Sequence, residues 1–281
     1  MLTRLVKLGI ALVFHAVCEA LRVFRLVFRK PMPGTFTVLT YHSVKPEHSA
    51  RFARQMDALL AAGRPARASM SQRVPAGERR IAVTFDDAFD SLSEHALPEL
   101  RRRRIPCTLF VPAAYAGSRP AWIRDPSHHN AGESVMDKTK LRELSEAGTD
   151  IGSHGLEHVR LALLSEDSVR REIRKSKEIL EGAVGSEIEL LAFPYGSYNR
   201  AVLRLCREAG YGRVFSNIPS FPATRSGTFL MGRIDVSPAE WPLAFWLKLR
   251  GAYQWMPLAC RIKRMLLRPK TRQPRKIAQE A

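Results

Sequence analysis

Residues 81–85, Ile-Ala-Val-Thr-Phe, run without a breaker into two adjacent carboxylates, Asp86 and Asp87. A short apolar stretch with β-branched residues, bounded by polar ones, reads as a buried strand. Two acids at the C-terminal end of such a strand stand where parallel α/β sheets and barrels collect their chemistry. A lone Asp-Asp pair also makes a solvated turn, so the rest of the chain has to decide between the two readings.

The rest of the chain repeats the arrangement. Strand patterns at 36–40, 107–111, 150–153, 190–193, 213–216 and 230–236 alternate with helical patterns at 49–62, 92–104, 138–146, 165–180 and 200–209. Such alternation gives a parallel sheet, either doubly wound or closed into a barrel. At 281 residues the chain can bury one core of barrel size and carry short extensions. Residues 112–137 lack a regular pattern and hold Trp122, His128 and His129. A segment of this length is expected to hang over the strand ends as a substrate wall. Neighbouring side chains diverge, which argues against His128 and His129 as joint ligands.

Two further segments bear on the acids. In Ile-Gly-Ser-His-Gly-Leu-Glu-His, residues 151–158, His154 and His158 are spaced so that one turn can aim both imidazoles at a single point. Two histidines and a carboxylate are a common ligand set for a catalytic divalent metal, although an isolated pair is as readily a surface feature. Ala-Phe-Pro-Tyr-Gly at 192–196 then closes another apolar strand.

Thr84-Phe-Asp-Asp87, His154-Gly-Leu-Glu-His158 and Phe193-Pro-Tyr-Gly196, in this order, resemble the polysaccharide deacetylase family, the NodB-homology domain of carbohydrate esterase family four. The likeness spans residues 37–236 and implies an α/β fold, a distorted (β/α) barrel of about seven strands. It further implies one divalent metal on Asp87, His154 and His158, with Asp86 as general base and the backbone N–H of Tyr195 holding the oxyanion. The sequence departs from the pattern in three places. Ala192 stands where an Arg usually precedes the Pro by two residues, the late strand 230–236 has no His, and Ala88 replaces the Gly after the Asp pair. Tyr41-His42, closing the first strand, matches a branch of the family in which the early His is tied to the catalytic acid role. Arg233 on the late strand is the candidate to replace the missing Arg. Zinc is the favoured metal, while iron, cobalt and nickel suit the same donors.

The implied function is removal of N-acetyl groups from amino sugars of an envelope polysaccharide, an exopolysaccharide or a lipid-linked precursor. A deformylase of a lipid-linked amino sugar, an O-acetyl esterase and a catalytically silent glycan-binding module are the alternatives. Asp86 favours an enzyme, because a purely structural metal site has no use for it.

Charge is concentrated at the ends. Of a net +18, residues 1–30 carry +5 and residues 241–281 carry +9, which leaves the central 210 residues nearly neutral at +4. A nucleic-acid binder would carry its basic surface on the folded domain, and no nucleic-acid module is present, so nucleic acid is not an expected partner. In residues 2–28 the polar positions Arg4, Lys7, His15, Glu19, Arg22, Arg25 and Arg29 fall on one narrow stripe of a helix. Leu8 to Phe14 could serve as a signal core, but the interruptions argue against an ordinary cleaved signal and against a spanning helix. An interfacial helix, ended by Pro31-Met-Pro33-Gly34, is expected instead. Beyond 240, Trp241, Phe245, Trp246, Tyr253 and Trp255 precede Arg261, Arg264 and Arg268. That mixture suits the boundary between water and lipid, with packing of the aromatics on the barrel as the alternative.

The expected organisation is thus a membrane-associating helix at 1–33, the deacetylase-like domain at 34–240 and a basic aromatic extension at 241–281. The expected location is peripheral, on the anionic inner membrane surface of a bacterium, with the cytoplasmic face favoured over the periplasmic. Cys18, Cys107, Cys206 and Cys260 are scattered through apolar contexts and read as free thiols.

Overall fold

The computed structural model describes residues 2–70, 72–219, 228–257 and 259. Arg261, Arg264, Arg268 and Cys260 lie outside the described residues. The strands are β1 (Thr35–Tyr41), β2 (Arg64–Pro65), β3 (Arg79–Phe85), β4 (Cys107–Val111), β5 (Asp150–Ser153), β6 (Leu190–Ala192), β7 (Arg213–Ser216), β8 (Leu230–Gly232) and β9 (Ile234–Asp235). They lie in the order β8-β7-β6-β5-β4-β3-β1-β9, with β2 added to β3, and every pairing is parallel. Strands β8 and β9 are two halves of one pass, separated only by Arg233. One half pairs with β7 and the other with β1, so the chain itself nearly closes the ring. This is the expected distorted (β/α) barrel.

Eight helices accompany the strands among the described residues: α1 (Leu2–Val27), α2 (Ser49–Ala62), α3 (Ser91–His95), α4 (Leu97–Arg102), α5 (Lys138–Glu146), α6 (Glu166–Val184), α7 (Arg200–Glu208) and α8 (Pro242–Leu249). The single helix expected over 92–104 is two. Pro98 can donate no backbone hydrogen bond to the preceding turn and is suited to the start of a helix, so the chain breaks at Ala96 and starts again at Leu97. Helix α6 runs past its expected end to Val184, where Gly185 closes it at φ 73° in the left-handed region. Strand β2 lies in a stretch that reads as a polar connection; it is two residues long and exists only by pairing with the edge of β3.

Strand alternation divides the core in two. Phe36, Val38, Ala82, Phe110, Leu190, Ala192, Phe215 and Met231 form the cluster that fills the barrel. Leu39, Tyr41, Ile81, Val83, Phe85, Leu191 and Phe193 point the other way, into the larger cluster beneath the helices. Inward parity carries directly into the chemistry. Ala82 and Thr84 face the interior, so Asp86 continues inward; Met231 faces the interior, so Arg233 does too.

Candidate active site at the barrel mouth

Parallel register brings the motif residues to one rim. Tyr41 is level with Phe85, and the Asp86 N–H donates to the Tyr41 carbonyl at 2.8 Å, which sets His42 beside the acid pair. The His154 N–H donates to the Val111 carbonyl at 2.8 Å. The Phe193 N–H donates to the Phe215 carbonyl at 3.0 Å, and the Arg233 N–H to the Ser216 carbonyl at 2.9 Å. Each functional side chain therefore follows, or interrupts, a strand whose neighbour fixes its height.

Asp87, His154 and His158 bring one donor atom each to within 4.8 Å of one another, and all three are buried. The closest approach is 3.3 Å, between His158 Nε2 and Asp87 Oδ1. His154 is oriented by its other nitrogen, which donates to the Ala192 carbonyl at 2.8 Å and leaves Nε2 free to face the carboxylates. Burial pushes the His154 imidazole down to about 4 and the His158 imidazole to about 2, so both are neutral at neutral pH, the form that binds metal. Asp87 Oδ1 and His158 Nδ1 are buried without a hydrogen-bond partner. Polar atoms so placed are costly unless something satisfies them, and a divalent cation fits this donor set.

The two adjacent carboxyls are driven apart. Burial pushes Asp87 up to about 7, a shift that a cation would oppose. Burial acts on Asp86 in the same sense, but Arg233, then His154 and His42, hold it well below the ordinary carboxylate range. The Arg233 guanidinium meets Asp86 Oδ1 at 2.5 Å and Oδ2 at 2.7 Å, a bidentate fork, and reaches Thr84 Oγ1 at 3.3 Å. Arg233 is fully buried, with Phe110 at 5.1 Å and Phe215 at 5.9 Å from its guanidinium carbon. It enters the barrel interior from between β8 and β9, and Ala192, where the family usually carries an Arg, points into the same interior.

Four non-glycine residues at the rim adopt positive φ: Asp87 at 68°, Ala88 at 45°, His158 at 52° and Tyr195 at 56°. Such conformations persist only where surrounding structure over-determines them, and they gather at functional sites. Tyr195 sits partly exposed, its ring 4.8 Å from that of His158 and 4.3 Å beneath the Arg160 guanidinium. His42 is exposed at the end of β1. The long loop closes over this side through Ser43 to Asn130 at 2.7 Å and Lys45 to Glu133 at 2.6 Å. Its Trp122 stacks on His158 at 4.3 Å, so the loop braces the second imidazole of the candidate metal site. His128 and His129 lie against each other and are not among the residues that converge on the metal position.

Residues 73–214 match the sequence pattern of the polysaccharide deacetylase family. The chain belongs to that family. The chain is 25% identical to the YxkH protein of Bacillus subtilis over 232 residues, which cover 79% of this chain and 76% of that one. It is 24% identical to a poly-beta-1,6-N-acetyl-D-glucosamine N-deacetylase of Staphylococcus aureus, over 57% of this chain and only 55% of the relative. Among solved structures, IcaB from Ammonifex degensii superposes with a TM-score of 0.65 at 24% identity, covering 77% of this chain and 98% of that one. The Streptococcus pyogenes deacetylase PplD superposes at 0.62 with 18% identity, covering 79% and 99%. Both superpositions are likenesses of fold.

One residue of the site escapes a motif reading. Glu172 of α6 accepts from the Leu156 N–H at 2.9 Å and the Glu157 N–H at 3.1 Å, fixing the turn between the two histidines. A signal existed, since Glu172 is in phase with Val169, Ile173, Ser176 and Leu180 on the buried face of its helix. Glu172→Ala is expected to lower stability by about 2 kcal/mol, because one buried N–H and one part-buried N–H lose their shared acceptor. It should also weaken metal binding roughly 10- to 100-fold, as displaced supports of ligands do. Urea unfolding and zinc titration measure the two effects separately.

Proposed function

We propose that this chain is a metal-dependent N-deacetylase acting on amino sugars of an exopolysaccharide, an envelope glycan or its lipid-linked precursor. The observation that carries the reading is Asp86: an ionised, Arg-clamped carboxylate beside the three ligands but distinct from them. A metal site kept only for binding has no need of it.

A divalent cation on Asp87, His154 and His158, zinc for preference, would polarise the acyl oxygen and acidify the attacking water. Asp86 is the general base; Arg233 keeps it charged and aimed at any physiological pH and so acts as a positioning residue. The Tyr195 backbone N–H, at the same rim, is assigned to the developing oxyanion. His42 is assigned the proton that the departing sugar nitrogen must receive, which supplies the acid that the late strand lacks.

The test of the reaction is to incubate the zinc-loaded protein with N-acetylated, N-formylated and O-acetylated saccharides, lipid-linked forms included, and to identify the acid released. Acetate from the N-acetyl substrates is expected. Formate would make the chain a deformylase, and release from none of the panel would favour a glycan-binding module. For the acid, His42→Ala is expected to slow turnover by about 10²–10⁴-fold while metal content is unchanged. Full activity in that variant would move the role to the loop histidines, His128 and His129.

A further inference from the structure

Helix α1 is turned the opposite way from a helix that packs its apolar face on a core. It meets the body through Ala11, fully buried, and Leu8, against Leu247, Ala252 and Tyr253, with the His15 ring 4.9 Å from that of Trp246. Positions 8, 11 and 15 belong to the same side of the helix as Arg4, Lys7, Glu19, Arg22 and Arg25. Over the first two-thirds of α1 the polar stripe therefore lies on the side of the body and the apolar circumference faces away, while residues 20–27 are exposed all round. Val6, Val13, Val17, Phe24 and Val27, on the outward side, are 51–69% exposed. At 26 residues and about 1.5 Å per residue the helix is about 39 Å long. An exposed apolar strip of that length exceeds what soluble monomers ordinarily leave uncovered. Trp241, Leu243 and Trp246 of the adjoining segment are exposed too.

We infer that α1 is a membrane-surface runner: it lies in the interface of an anionic bilayer, its apolar side toward the acyl chains and the barrel above its polar side. Charge selects the occupant. The stripe on α1 holds four basic residues and one acid, with Arg29 just past the helix end, and this net positive charge draws the helix to anionic headgroups. No described helix is long and apolar enough to cross a membrane, so the helix lies along the surface. The runner also bears on the reaction. A cleft of about 330 Å³ is lined by Arg4 and Lys7 of α1 and by Asn217, Asp235 and Ser237, which follow or end the barrel strands at the mouth. Attachment through α1 would thus hold the mouth within reach of glycans at the bilayer surface.

The test uses the full chain and sedimentation with vesicles of phosphatidylcholine alone or mixed with phosphatidylglycerol. Binding is expected to the anionic vesicles and to weaken roughly fivefold for each basic residue removed, as in Arg22→Gln with Arg25→Gln, with high salt having the same effect. Val13→Asp with Val17→Asp should reduce binding at least tenfold, while the urea midpoint and activity on a soluble saccharide stay as in the parent. Val6→Asp with Phe24→Asp repeats the measurement at other points of the strip should the first pair perturb folding. Full-length protein left in the supernatant with anionic vesicles would overturn the inference. So would a dimer that the Val13→Asp, Val17→Asp change converts to monomer, since a second copy would then be what covers the strip. Activity on the soluble saccharide separates either failure from a failure of the deacetylase reading.

Discussion

Arg233→Met is expected to lower the unfolding free energy by ~3–5 kcal/mol and to slow turnover by at least roughly 10²-fold, the scale of a lost general base. The stability loss comes less from the ion pair itself than from what remains: a buried carboxylate with no countercharge. Asp86→Asn alone strands the guanidinium in the same way. The pair should therefore be non-additive, with Asp86→Asn, Arg233→Met costing less than the sum of the singles by about 0.5–3 kcal/mol. The deficit of Arg233→Met also carries a pH signature. In the parent, Arg233 holds Asp86 below its unfolded value, so the pair contributes stability above the ordinary carboxylate pKa and loses it as pH falls. Without Arg233, burial is opposed only by His154 and His42 and the carboxyl rises, so the variant is most handicapped at neutral pH and recovers on acidification. Urea midpoints of both proteins with a chelator present, at neutral pH and near pH 4, measure this. A deficit that does not narrow in acid would mean that Arg233 stabilises by packing on Phe110 and Phe215 instead.

The second large effect is at the metal position. Asp87→Ala and His158→Ala should each drop bound zinc from one equivalent to a small fraction and remove activity with it, because two remaining donors do not hold the ion against exchange. The loss in affinity should exceed the 10- to 100-fold typical of groups that merely support ligands. His158→Ala carries a second expectation: Trp122 loses the ring on which it stacks, so its fluorescence should shift. If His158→Ala bound zinc as tightly as the parent and still turned over substrate, the three-residue site would be wrong. Asp86→Asn is the control, expected to keep its metal and lose its rate.

The positions of the strands, the acid pair, the two histidines and the Phe-Pro-Tyr-Gly turn were legible in the sequence because each is a local pattern. A short apolar run rich in β-branched residues, with a polar residue or turn at its end, lies within ten residues, and in a parallel α/β sheet such ends converge on one rim. Arg233 was legible only as a possibility. It is 147 residues from Asp86, and whether it meets that carboxylate depends on the inward parity of two strands and on the near closure of the ring between β7 and β1. The same holds for Glu172, whose helical phase marks it as buried but not what it grips. It holds for β2, which no propensity favours and which exists only beside β3.

The ends of the chain divide in the same way. That residues 2–27 form a helix with a narrow basic stripe follows from spacing alone, since helical geometry fixes which side chains share a side. Which side meets the body does not follow from spacing. It was decided by α8, whose Phe245 and Leu249 enter the main core while Leu247 turns outward to receive Ala11. A small residue amid the polar stripe is the point at which two helices can approach closely. Local chemistry determined what each element is, and only the packing of elements distant in sequence decided which groups face one another.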